Sequence, residues 1–171
     1  ILMPDFVKAD FYYVHGWDNY YRHEKAPTYG VKLSLLNLND VADFSMGFIN
    51  GKAEPIRTAP PLIIANNMKN KTVFNANLIY KVSSNFAFTG ETYYGIGFRN
   101  DENTSRWWSL IAGFKFALPY RNAWFSPRVE YYEDKDDMTT GMRQSIKAVT
   151  LTHNMTLAEN LSLVGELRYD H

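Results

Sequence analysis

The sequence predicts an all-β protein: a transmembrane up-and-down antiparallel β-barrel of the bacterial outer-membrane kind. Three observations point there. Apolar and polar residues alternate with period two in run after run, while helical periodicity is weak throughout. The connections between runs are alternately short and long, as in barrels with tight turns at one rim and longer loops at the other. Aromatic residues are abundant (4 Trp, 12 Tyr and 11 Phe among 171 residues). They collect at the ends of the runs, where amphipathic rings suit a membrane–water boundary.

Composition narrows the class further. A formal net charge of zero with 16% aromatic residues argues against disorder and leaves no basic footprint for nucleic acid. With no cysteine there is no disulfide scaffold, thiolate metal site or cysteine nucleophile. The longest apolar stretches, such as Leu62-Ile63-Ile64-Ala65, fall far short of the ~20 residues of a membrane-spanning helix. A membrane-spanning strand needs only about 9–11 residues, so the mildly polar mean hydropathy of −0.35 excludes helical spans but not a barrel. The whole of 1–171 reads as one barrel domain. No basic leader precedes Ile1, and the chain stops inside a run at Tyr169-Asp170-His171. Both features lead us to expect a mature or partial chain.

The elements follow in order. Strands are expected near 5–15, 28–37 and 41–50. Val7, Ala9, Phe11 and Tyr13 face away from Lys8, Asp10 and Tyr12, and Val31, Leu33 and Leu35 face away from Lys32 and Ser34. Segment 51–70, with Pro55, Pro60 and Pro61, reads as a loop or loop strand. Thr72 to Val82 alternates most clearly, with Phe74, Ala76, Leu78 and Tyr80 on one face and Asn75, Asn77 and Lys81 on the other. After the turn Ser83-Ser84-Asn85, Phe86 to Arg99 sets Phe88, Tyr94 and Phe98 against Glu91 and Arg99. Trp108, Leu110, Phe114 and Phe116 alternate with Ser109, Gly113 and Lys115. Beyond the turn at 119–122, Phe125, Val129 and Tyr131 oppose Ser126, Arg128 and Glu130. Val149 and Leu151 oppose Thr150, Thr152 and Asn154. The ninth run, Leu161 to Asp170, sets Leu163, Leu167 and Tyr169 against Glu166, Arg168 and Asp170. Longer loops are expected near 16–27, 51–70, 100–106 and 134–144.

The strands are longer than the five or six residues usual in soluble sheets. Tyr80, Phe86, Trp108, Tyr120, Trp124, Tyr131 and Tyr169 are the expected boundary aromatics. A soluble, aromatic-rich sandwich is the alternative. It would have to bury the opposite face, which carries Lys81, Glu91, Arg99, Lys115, Arg128, Glu130, Glu166, Arg168 and Asp170, at a heavy desolvation cost. Lining a water-filled lumen, the same charges stay hydrated. Counted from the ends of the turns, Arg128 and Glu166 each lie six residues on, and Glu130 and Arg168 each eight. The reversed order places Arg128 level with Glu166 and Glu130 level with Arg168, across two strand spacings of about 9.6 Å. A mixed-charge belt is expected there, acting either as ion pairs that stiffen the wall or as a filter.

Three strings carry a family resemblance. They are Trp107-Trp108-Ser109-Leu110-Ile111-Ala112-Gly113-Phe114, Ser126-Pro127-Arg128-Val129-Glu130-Tyr131-Tyr132-Glu133-Asp134 and Leu161-Ser162-Leu163-Val164-Gly165-Glu166-Leu167-Arg168-Tyr169-Asp170. They resemble the OmpL-like outer-membrane β-barrel porins, with Val164 where that family often has an arginine. His15-Gly16-Trp17-Asp18-Asn19 and Phe48-Ile49-Asn50-Gly51 are similar to further family strings, His15 standing in place of Asn. The resemblance implies a barrel of more than nine strands in the bacterial outer membrane, without cofactor, passing small hydrophilic solutes or ions by diffusion. Membrane lipid and lipopolysaccharide, a second copy or an envelope-complex partner would be its neighbours. A closed barrel serving as a structural or docking subunit is the alternative, and an outer-membrane barrel enzyme a third reading.

Reactive chemistry is sparse. His15, His23, His153 and His171 lack ligand spacing, and His153 falls on the apolar parity, away from Ser109 and Ser126. Gly95 and Gly97 lie inside a strand and do not form a phosphate cradle. Acidic residues at 133–137 lack the spacing of a helix–loop–helix calcium site. Asn-x-Ser/Thr triplets such as those at Asn70, Asn103 and Asn154 would go unmodified in a bacterial envelope.

Overall fold

The computed structural model describes residues 6–15, 27–51, 68–99, 104–120, 122–139 and 142–171, with the side chains of His15, Met68, Lys69 and Arg99 excepted. Most of the expected loops 16–27 and 51–70, with His23 and the prolines, lie outside the described residues, as does Asn103. Among the described residues the chain forms nine strands: β1 (Val7–His15), β2 (Pro27–Leu38), β3 (Ala42–Gly51), β4 (Met68–Ser83), β5 (Phe86–Arg99), β6 (Thr104–Ala117), β7 (Trp124–Asp134), β8 (Gln144–Ala158) and β9 (Leu161–Asp170). They make a single antiparallel sheet in sequence order. Each strand pairs only with its neighbours in the chain, the up-and-down meander of a membrane barrel. A ten-residue strand at about 3.3 Å per residue, tilted by ~40°, climbs about 25 Å, which is the height of a barrel's apolar band.

Two strands run further than the sequence pattern indicates. β4 begins at Met68, four residues before the alternation starts, and pairs with the end of β5 through an irregularity between Met68 and Asn70. That stretch lies at the long-loop rim, above the apolar band, where lipid no longer selects a period-two pattern. β8 spans Gln144–Ala158, although its alternation is visible only around 149–154. Its first turn of pattern is inverted: Ile146 has the parity of the polar face and Lys147 that of the apolar face, by their pairing with Tyr132 and Tyr131.

The turns match their residues. Asn37, Asn39 and Asp40 adopt positive φ of 54°, 51° and 61° at the β2–β3 turn, the left-handed region that Asn and Asp tolerate. The Asp43 carboxylate accepts the Asn37 N–H at 2.6 Å, and Asp40 accepts the Asn37 side-chain amide at 2.7 Å. In the β4–β5 turn Asn85 N–H donates to Ser83 Oγ at 3.3 Å. Pro127 sits inside β7 and has no N–H to give. The β6–β7 ladder is open beside it, between the Gly113–Arg128 and Phe116–Phe125 pairs.

The sheet has no conventional core. Its buried hydrophobic residues are Ala123, Met138 and Ala148, whereas the most buried side chains are Thr28, Ser105, Asp134 and Thr150. Large apolar side chains stand exposed: Phe11 at 82%, Tyr13 at 67%, Leu110 at 49% and Leu167 at 75%. Register places Leu33, Met46, Leu78, Leu110, Val129, Val149 and Leu167 on one face. A row of this kind is an uncovered hydrophobic surface far larger than soluble monomers show, and it matches the lipid-facing band of a transmembrane barrel. No helix among the described residues is long and apolar enough to cross a membrane.

Leu78 stands five residues from the short-turn end of β4, near mid-height of the apolar band. Leu78→Arg is expected to destabilise the folded protein by about 2–4 kcal/mol in lipid. Asn77→Arg, on the opposite face, should stay within about 1 kcal/mol. Reversible urea unfolding in vesicles measures both; equal costs would place the two residues in the same medium.

Candidate functional site

The polar face is assembled by register. Lys81, Glu91, Lys115, Arg128, Glu130, Glu166, Arg168 and Asp170 hold positions of one parity across β4 to β9. Lys8, Asp10, Lys32 and Asp43 continue that face across β1 to β3. Arg99 has the matching backbone position at the end of β5, beside Met68.

The structure brings four of these charges into one array. Arg128 Nε donates to Glu130 Oε1 at 2.6 Å. Arg168 Nη1 reaches the same carboxylate at 3.0 and 3.2 Å. Arg168 Nε donates to Asp170 Oδ1 at 2.8 Å. The order Arg–Glu–Arg–Asp alternates in sign and bridges from β7 to β9 over β8. The bridge passes over Ala148 and Thr150, which are 3% and 0% exposed. Small side chains on the middle strand let long ones on either side meet above it.

The expected level pairs need correcting. Glu130 and Arg168 do meet, but along a diagonal: the residues that share a level are Arg128, Thr150 and Arg168, and then Glu130, Ala148 and Asp170. Arg128 and Glu166 do not pair. Glu166 instead accepts a hydrogen bond from Thr152 Oγ1 at 3.0 Å. Counting from turn ends ignores the stagger that accumulates between neighbouring hairpins of a sheared barrel, and here it shifts the alignment by two residues.

The expected boundary aromatics divide. Tyr80, Phe86, Trp108, Tyr131 and Tyr169 have the apolar parity. Phe86 stacks on Phe114 and Phe116, and Trp108 lies 4.8 Å from Tyr131, centroid to centroid. Tyr120 is half exposed in the β6–β7 turn, its hydroxyl 3.3 Å from His153 Nε2. Trp124 is the exception. It opposes Asn154 on the polar parity, and the Lys115 ammonium sits 3.8 Å above its ring. A cation over an indole face is favourable where water is partly excluded, and Trp124 thus stands with Lys115 on the polar face of the sheet, not on the apolar face with the other expected boundary aromatics.

A second inner cluster was not foreseen. Tyr93, Trp107 and Tyr132 form an aromatic row on β5, β6 and β7, with centroids 6.4 and 5.9 Å apart. Trp107 lies flat on Gly95, where an added Cβ would meet its Nε1 at 1.9 Å. Tyr93 hydroxyl donates to Glu91. Met138, 2% exposed, packs against Trp107 from the loop after β7. That loop is pinned by Asp134, which is fully buried and accepts from Met138 N–H and Thr139 N–H at 2.8 Å and from Thr139 Oγ1 at 2.6 Å. Asp136 Oδ2 accepts Arg106 N–H at 2.9 Å and ties the loop to β6. The available signal was three aromatics on the polar parity, one of them opposite a glycine.

No group of acidic or histidine side chains among the described residues is arranged to hold a metal ion. What the face offers is charged side chains of both signs with one aromatic stretch. In comparisons with known proteins, the family model described as beta-barrel porin-2, OmpL-like, matches residues 3–171. No curated protein and no solved structure matches the chain.

Two substitutions probe the inner cluster. Gly95→Val should displace Trp107 and destabilise by about 1–3 kcal/mol through overpacking, with a shift in tryptophan emission. Asp134→Ala strands the donors of Met138 and Thr139 and should cost about 1–3 kcal/mol, read by urea unfolding. It should also speed proteolysis of the loop at 135–143, and an unchanged cleavage rate would mean that Asp134 does not pin it.

Proposed function

Because the chain belongs to the beta-barrel porin-2, OmpL-like, family, we propose that it acts in the bacterial outer membrane as a passive pore for small hydrophilic solutes or ions. The observation that carries the reading is the segregation of the two faces. Charged side chains of both signs share one side of the sheet, and large exposed apolar side chains share the other. In a barrel this arrangement gives a wetted lumen inside a lipid-facing band. Charges that stay in water avoid the desolvation that would make them costly in a packed core. Transport by diffusion needs no nucleophile, cofactor or covalent step, and we assign none.

Within that pore, the Arg128–Glu130–Arg168–Asp170 array serves as wall structure and as a charge element at once. Its members balance, so deleting one cation leaves a net negative patch. Arg128→Ala should therefore shift the permeability ratio of the reconstituted pore toward cations, and the shift should shrink as ionic strength rises. An unchanged ratio would leave the array with a purely structural role.

One observation favours a second reading, a barrel with a closed lumen used as a structural or docking subunit: the loop after β7 folds Met138 inward onto Trp107 and narrows that side of the wall. Planar-bilayer recording separates the two readings. A porin gives stepwise conductance increments on insertion, whereas insertion verified by flotation but without ion current would overturn the pore and favour the closed barrel.

A further inference from the structure

On the lipid-facing side of β6 to β9 lies an apolar groove of about 370 Å³. Its lining includes Ala112, Val129, Val149, Tyr131 and Tyr169, together with one lysine, Lys147, and His171; Glu130 and Ala148 also border it, although register gives their side chains to the opposite face. Ala112 supplies the dip, since its neighbours along the outer face of β6 are Leu110 and Phe114. Lys147 is the residue that inverts the pattern of β8. It stands on the outer parity in a row with Leu110, Tyr131 and the paired backbone of His171. It is exposed and makes no ion pair among the described residues.

Height explains why a charge is tolerated there. Lys147 is eleven residues from the short-turn end of β8 at Ala158, about 28 Å up a strand tilted by ~40°. That is the upper edge of the apolar band, level with the headgroups on the long-loop side. The groove extends below it, past Val149 and Tyr169, into the depth of acyl chains. Among the described strand residues, the outward lysines and arginines lie at this rim. Arg106 on β6 is also exposed and outward by register. Glu133, the outward carboxylate at the same rim, is already engaged by Lys135 at 3.2 Å, Trp108 Nε1 at 2.9 Å and Tyr131 hydroxyl at 3.1 Å. Among the described residues at the short-turn rim the outer parity carries Tyr80, Val82, Phe86, Phe116 and Phe125 and no lysine or arginine.

We propose that this groove is a specific site for a phosphate-bearing membrane lipid, one acyl chain lying along Ala112, Val129 and Val149 with the headgroup phosphate held by the Lys147 ammonium. Apolar lining and unpaired cation complement the two halves of one amphiphile. Lysine suits the task as a compact point charge on a flexible stem, able to follow a phosphate at the interface. The tyrosine rings at the groove belong at the same depth. The site is on the outside of the wall and is independent of whether the lumen conducts.

The test uses the full chain folded in a neutral detergent and freed of lipid. Diphosphoryl lipid A, the same lipid with its phosphates removed, and inorganic phosphate are added separately, and retained adducts are counted by native mass spectrometry. Wild-type protein should retain one diphosphoryl lipid, and inorganic phosphate should not compete. Lys147→Leu should reduce retention on the order of fivefold, with Lys147→Arg restoring most of it. Ala112→Phe fills the groove and should abolish retention with Lys147 intact. Heat-dependent gel mobility verifies that each variant is folded. Retention that survives Lys147→Leu or Ala112→Phe in folded protein, or equal retention of the dephosphorylated lipid, overturns the site.

Discussion

Everything in this fold depends on an outer face that no other part of the described protein covers. Leu33, Leu78, Leu110, Val149 and Leu167 share that face and stay exposed, from 36% at Leu78 to 75% at Leu167. In water such a surface would drive aggregation; in hydrocarbon it is at rest. Lipid in turn imposes a second demand, because it offers no hydrogen bond to a backbone N–H or C=O. The ladders from β1 to β9 meet that demand strand by strand, and the free sides of β1 and β9 must also be paired within a membrane. The period-two pattern and the unbroken meander are thus two consequences of one solvent.

The polar face obeys different rules. Long polar side chains there are supported by short ones. Arg168 reaches Glu130 only because Ala148 and Thr150 keep β8 low between them. Trp107 lies flat only because Gly95 has no side chain. Thr28 covers Gly51 in the same way at the other side of the sheet, where a Cβ would come within 2.0 Å of its hydroxyl. In these three cases the longer side chain on the polar face is matched by a smaller partner one strand away.

Much of this was legible in the sequence, for reasons that can be named. The alternation from Phe74 to Leu118 fixed the faces of β4, β5 and β6, because lipid tolerates few exceptions at mid-height. The rims were less legible. At Met68–Lys71 the strand continues above the band, where no solvent imposes a pattern. Lys147 and Ile146 exchange the expected polarity at the level where headgroups replace hydrocarbon. Trp124 belongs by parity to the inner wall, yet its place next to a turn suggested the boundary. Side-chain partners across strands were the least accessible feature. The diagonal from Glu130 to Arg168 depends on a two-residue stagger between hairpins that no local pattern records.

One local pattern did record chemistry, and it bears on how the wall handles charge. Partners two residues apart on one strand recur on the inner face: Lys8 with Asp10 at 3.0 Å, Arg128 with Glu130, and Arg168 with Asp170. Residues i and i+2 share a face about 6.6 Å apart, within reach of a long cation and a carboxylate. Opposite charges joined at such short range act on a distant ion as a dipole, whose field falls faster than that of a single charge. In physiological salt the remainder is screened within about 8 Å. Lys32 and Lys81, on the same polar face, have no ion pair among the described residues, so their charge extends further from the sheet than that of the arginines.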